Sequence, residues 1–93
     1  MKPWYTYIVE CSDGSLYTGV TTDIQRRINE HNKGIGAKYT MRKRPVIVRA
    51  FFIFKNRSEA SKEEWRIKQL TRKQKLNLIQ ENDGIQKVLQ SRS

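Results

Sequence analysis

A chain of 93 residues has room for one domain with a thin core and none for a second. Its 19 Lys and Arg against 9 Asp and Glu give a formal net charge of +10, so the expected partner is a polyanion, a nucleic acid foremost. With 37% apolar and 30% charged residues it suits a folded soluble protein rather than a disordered tail, and one cysteine, Cys11, excludes an intrachain disulfide.

Trp4 to Cys11 and Leu16 to Thr21 are rich in aromatic and β-branched residues and read as strands, with Ser12-Asp13-Gly14-Ser15 as the hairpin between them. Two turns are open. A two-residue Asp13-Gly14 turn sets Tyr7 opposite Val20 and puts Tyr17 on the other face. A three-residue loop with a left-handed Gly14 sets Tyr7 opposite Gly19 and brings both phenols together.

Thr22 and Gln25 form a capping-box pattern ahead of a first helix over Asp23 to Lys33, with Gly34 as its stop. Gly34 to Arg44 reads as a basic loop, and Pro45 opens a third strand, Val46 to Phe54. Ser58 can cap a second helix to about Leu70. Helical composition continues over Thr71 to Glu81, and Asp83-Gly84 should break it before a short last helix and a frayed Ser91 to Ser93. The expected fold is α/β in the α+β sense: a three-stranded, largely antiparallel sheet flanked by helices, in the order β-β-α-β-α-α.

The longest apolar run, Ala50 to Phe54, is too short to cross a bilayer, and no apolar leader or lipidation signal is evident at the termini. A membrane partner is therefore not expected, and a cytoplasmic location is.

Two helix stripes carry polar anomalies. Ile24, Arg27, Ile28 and His31 share one face of the first helix; Ala60, Glu64, Ile67 and Thr71 share one face of the second, with Glu63 pointing elsewhere. Each has a bland explanation: the Arg head reaches past an apolar contact to water, the strand tyrosines only pack, and Glu64 pairs with Arg27. The alternative is that a half-buried carboxylate serves a cation and the Arg and His have chemistry to do.

Taken together, Tyr5-Thr6-Tyr7, nine residues, Tyr17-Thr18-Gly19, then Arg27, His31 and Glu64 resemble the GIY-YIG nuclease domain over about residues 4–80. Gly36-Ala37-Lys38-Tyr39-Thr40, Arg44-Pro45-Val46 and the run from Glu64 to Thr71 are similar to its small single-domain bacterial branch, the UPF0213-like proteins. The first triplet keeps only its tyrosine, and Thr18 replaces isoleucine in the second. The resemblance implies one domain over residues 1–93 and hydrolysis of phosphodiester bonds, in DNA ahead of RNA, in a setting of DNA repair or processing. It implies one Mg²⁺ or Mn²⁺ ion with Glu64 as the sole protein ligand, and catalytic roles for Tyr7, Tyr17, Arg27, His31 and Glu64. Tyr7 helps deprotonate water, Arg27 stabilises the pentacovalent phosphate, and Tyr17 and His31 position water and phosphate, with His31 a second candidate proton acceptor.

Lys38, Arg42, Lys43 and Arg44 before the third strand, with Arg66, Lys68, Arg72, Lys73 and Lys75 later, are candidate phosphate contacts. They predict weak, shape-dependent recognition, with any further specificity left to an accessory protein. The competing functions are a non-catalytic nucleic-acid-binding module and a basic adaptor for an acidic protein. Oligomeric state is open.

Overall fold

In a computed structural model that describes residues 2–91, with side chains described for residues 2–82, strands β1 (Trp4–Glu10) and β2 (Leu16–Thr21) are joined by the longer of the two candidate loops. Cys11 N–H donates to the Ser15 carbonyl at 2.8 Å and Gly14 N–H to the Cys11 carbonyl at 2.9 Å. Gly14 sits at φ +85°, where a Cβ would be strained. The Asp13 carboxylate closes the loop by accepting from Ser15 N–H at 3.0 Å and from its hydroxyl at 2.6 Å. Tyr7 therefore stands opposite Gly19 and Val9 opposite Tyr17. Side chains alternate along a strand, so both phenols share one face.

Strand β3 (Ile47–Phe54) pairs antiparallel with β1 on the other side, giving the order β2-β1-β3 with β1 central. On the tyrosine face, Tyr7, Val9, Cys11 and Val46 pack under Ile24 and Ile28 of α1 (Ile24–Asn32). On the opposite face, Ile8 and Ala50 pack with Ile67 of α3 (Arg57–Lys68) and Ile79 of α4 (Arg72–Ser91). Burying each such aliphatic side chain stabilises the fold by roughly 1.5–3 kcal/mol. The buried Thr6 hydroxyl donates to the Ala60 carbonyl at 2.7 Å and fastens α3 across β1.

The order β-β-α-β-α-α holds, with one addition. The segment Gly34 to Arg44, expected as a loop, contains a single turn, α2 (Lys38–Met41), too short to leave a periodic signal. The Asn32 amide brackets Val46, accepting from its N–H at 2.7 Å and donating to its carbonyl at 3.2 Å, so β3 starts one residue later than expected.

The expected caps are displaced. Asp23, not Thr22, caps α1, its carboxylate accepting from Arg26 N–H at 3.0 Å, and Asn56, not Ser58, caps α3 through Glu59 N–H at 2.9 Å. Gly34 does end α1, with Gly34 N–H bonded to the His31 carbonyl and Ile35 N–H to the Glu30 carbonyl, each at 3.1 Å. The second helix does not run on through Thr71. Instead Thr71 and Gln74 form a reciprocal capping box, at 3.2 and 2.9 Å, that starts α4 afresh. The expected break at Asp83-Gly84 is absent. The helix continues through it to Ser91, since a glycine inside a helix costs only about 1 kcal/mol. Of the expected frayed end, Arg92 and Ser93 lie outside the described residues. Among the described residues, no helix is long and apolar enough to cross a membrane.

Candidate active site

Tyr7 lies under α1 with its ring drawn across the sheet onto Gly19 of β2. A Cβ at position 19 would stand 2.5 Å from the Tyr7 oxygen and 2.8 Å from the ring carbon that carries it. Only glycine leaves that path open. The phenol so placed makes a 2.9 Å hydrogen bond with His31 Nε2, and His31 Nδ1 makes one of 2.7 Å with the Thr40 hydroxyl. Tyr7, His31 and Thr40 are all within 1% of complete burial. Gly19→Ala is accordingly expected to cost about 2 kcal/mol through overpacking and to break the Tyr7 to His31 hydrogen bond. Thermal melting checks the first effect; an unchanged melting temperature would show that the ring has somewhere else to go.

Arg27, one turn before His31 on α1, points its guanidinium at the Tyr7 oxygen and pairs with Glu30 at 3.1 Å. Burial pushes the Tyr7 phenol above its ordinary value, and the guanidinium pulls it back only in part. His31 is held below its ordinary value, first by burial and then by the Arg27 charge, so its neutral imidazole is favoured. Burial works against the Arg27 charge, but Tyr7 and Glu30 outweigh it and raise its pKa.

Tyr17 completes the wall. Its ring meets His31 edge to face with centroids 5.5 Å apart and stacks on Tyr39 at 5.7 Å. Lys43 Nζ sits 3.8 Å over the Tyr39 ring and Lys68 Nζ 6.0 Å over the Tyr17 ring. Glu64 on α3, its side chain 25% exposed, is bonded to Lys68 at 3.3 Å and lies close enough to Tyr7 to disfavour the phenolate. All five residues singled out from the sequence thus gather round one cleft at the β2 edge. The Arg27 to Glu64 ion pair that was the bland alternative is not made: Arg27 is served by Glu30, and Glu64 by Lys68. Glu63 does point elsewhere, to Arg66. Thr71, placed by periodicity on the stripe of Glu64, is exposed beyond the end of α3 and caps α4.

Among the described residues there is no cluster of three or more His, Cys, Asp or Glu that would form a metal cage. A lone, half-buried carboxylate fits an ion that retains most of its water and takes phosphate oxygens as ligands, as Mg²⁺ does.

The basic candidates divide. Lys43 and Lys68 line the cleft, and Lys38 and Arg42 are exposed on the α2 segment beside it. Arg44 is committed to structure, donating to the Met41 carbonyl at 2.8 Å and the Asn32 carbonyl at 3.5 Å. Arg72, Lys73 and Lys75 sit on α4, which packs against β3 at the far edge of the sheet. Thr40 and Tyr39 were not given roles by the sequence. Their tie to His31 and Tyr17 spans many residues and depends on the unanticipated turn α2. Gly19 had a signal, because its place opposite Tyr7 follows once the loop length is known.

A family model described as the GIY-YIG catalytic domain matches residues 3–77. The chain is 56% identical over 71 residues to a UPF0213 protein of Halobacterium salinarum, covering 76% of this chain and 92% of that one. It is 49% identical over 81 residues to a UPF0213 protein of Staphylococcus haemolyticus, covering 87% and 99%. Two solution NMR structures are similar. A UPF0213 protein of Bacillus halodurans has 45% identity and a TM-score of 0.55 over 84% of this chain and 83% of that one. A protein of E. faecalis has 46% identity and a TM-score of 0.57 over 84% of each.

Proposed function

The chain belongs to the GIY-YIG catalytic-domain family, and from that premise we propose that it is a metal-dependent endonuclease cutting DNA with more regard for shape than for sequence. The observation that carries this reading is the Tyr7 to His31 hydrogen bond of 2.9 Å, with the Arg27 guanidinium beside the same phenol oxygen. A water molecule meeting that oxygen finds a proton acceptor, and the phosphate it attacks finds a cation.

A standing phenolate at neutral pH is disfavoured, so Tyr7 acts as a relay, taking a proton from the attacking water while its own moves to the neutral His31. Arg27 stabilises the charge that builds on the pentacovalent phosphorus, for which its planar fork is shaped. Tyr17 walls the cleft and orients the phosphate. Glu64 would hold the Mg²⁺ or Mn²⁺ ion, which when bound supplies Lewis-acid polarisation of the phosphate.

Supercoiled, single-stranded and branched DNA, and RNA, incubated with the purified chain and Mg²⁺ or chelator, test this reading. DNA cleavage that needs the metal is expected; binding without cleavage in every arm would leave a nucleic-acid-binding module. That second reading draws on the Lys68 ammonium at Glu64, which neutralises the carboxylate with no metal at all.

The same cleft sets the salt dependence. If Lys38, Arg42, Lys43 and Lys68 neutralise about four phosphates, affinity should fall about a hundredfold between about 50 and 200 mM salt, with a log–log slope near about −3.6. Fluorescence anisotropy with labelled DNA checks it, and a flat salt response would contradict phosphate-led binding.

A further inference from the structure

We propose that Thr40 is a positioning residue for this reaction: its hydroxyl fixes which nitrogen of His31 carries the proton and leaves Nε2 bare for the Tyr7 phenol. The proposal rests on the reading of Tyr7 and His31 as the proton-accepting pair.

The hydrogens at this buried chain can be placed by elimination. Thr40 Oγ1 lies 3.0 Å from the Ala37 carbonyl, which can only accept, and 2.7 Å from His31 Nδ1. With its proton on Ala37, Thr40 accepts from Nδ1–H; with its proton on Nδ1, the Ala37 carbonyl still has the Thr40 backbone N–H at 3.1 Å, so this end alone allows either tautomer. The far end chooses between them. The only acceptor placed for the Tyr7 proton among the described residues is His31 Nε2, since the neighbouring Arg27 guanidinium can only donate. A proton on Nε2 would leave the buried phenol O–H without a protein acceptor among the described residues, the costlier arrangement. Tyr7 therefore donates to His31, His31 to Thr40, and Thr40 to Ala37. The turn α2 carries Thr40, and its N-cap residue, Ala37, supplies the carbonyl that fixes it.

The direction of this chain is what catalysis needs. As the water oxygen bonds to phosphorus and the bond from phosphorus to the leaving oxygen breaks, one water proton moves to the Tyr7 oxygen. The phenol proton moves to Nε2, the leaving oxygen takes a proton from solvent, and the imidazolium formed keeps Nδ1–H on Thr40. In the other tautomer Nε2 is already protonated and the relay has no end.

His31 is the only histidine, so the imidazole nitrogens of the ¹⁵N-labelled full chain give unambiguous NMR signals. At neutral pH the wild type is expected to show a protonated Nδ1 and a bare Nε2. Thr40→Val should populate the Nε2–H tautomer and slow cleavage about tenfold or more at little cost in KM, and Thr40→Ser should restore both. A wild-type spectrum with the proton on Nε2, in a protein that cleaves, overturns the role of Thr40 alone, as does Thr40→Val with wild-type tautomer and rate. Absence of cleavage by the wild type overturns the nuclease reading and the role with it. If Thr40→Val does not fold, the wild-type spectrum and Thr40→Ser decide.

Discussion

Glu64→Gln is expected to remain folded, to bind DNA as before, and to lose about a thousandfold or more of its Mg²⁺-dependent cleavage, about 4 kcal/mol of barrier. Gln keeps nearly the volume of Glu and removes the charge. Its effect on stability is limited by the present partner: the contact with Lys68 is an i,i+4 pair whose ammonium side is about half exposed. Such a pair is worth under about 1 kcal/mol. The lysines proposed to contact phosphate stay, so affinity should hold or rise as a negative charge leaves. Melting temperature, anisotropy and nicking of supercoiled DNA on one sample separate the outcomes. Full cleavage by the mutant would remove Glu64 from the reaction, and a collapse in melting temperature would make it a structural carboxylate.

How much of this was open to inspection in the amino-acid order differs from feature to feature. The sheet and the helix order were legible because strand composition and a 3.6-residue stripe are strong signals, and Arg27, His31 and Glu64 stood out as polar residues on apolar stripes; the grouping of these three with Tyr7 and Tyr17 came from the resemblance to the GIY-YIG domain. The sharing of a face by Tyr7 and Tyr17 was not fixed, since it turns on one residue of loop length. Local hydrogen-bond competition blurred the helix ends. Thr22 to Gln25 and Thr71 to Gln74 carry the same Thr-x-x-Gln pattern, yet only the second forms a capping box. At the first, Asp23 follows immediately and its carboxylate takes the cap, while the Thr21 hydroxyl receives Asp23 N–H at 3.1 Å. At the second, Arg72 offers no such competitor. Thr40 stayed hidden because a lone threonine in a basic segment has no pattern of its own. Its meaning comes from α2, four residues long, folding it against His31.

Arg27→Ala is expected to slow cleavage about a hundredfold, about 3 kcal/mol, while shifting stability by only about 1 kcal/mol. The contrast follows from its partners. Had Arg27 been the buried counter-ion of Glu64, its removal would strand a half-buried charge and cost about 3 kcal/mol or more of folding stability. Its carboxylate partner is instead Glu30, an i,i+3 neighbour with both side chains about one-third exposed, so Glu30 is left with access to water. What is lost is the cation that partly offsets the effect of burial on the Tyr7 phenol and, on the proposed mechanism, the donor that steadies charge on the phosphate. The loss also relieves His31, whose imidazolium Arg27 disfavours, so the ring pKa should rise toward its ordinary value. The sign of that change is testable in the NMR titration of the lone histidine. In Arg27→Ala the midpoint should move up in pH while cleavage falls. A hundredfold loss of cleavage with an unmoved His31 titration would place Arg27 on the phosphate alone. An unchanged cleavage rate would exclude it from the site.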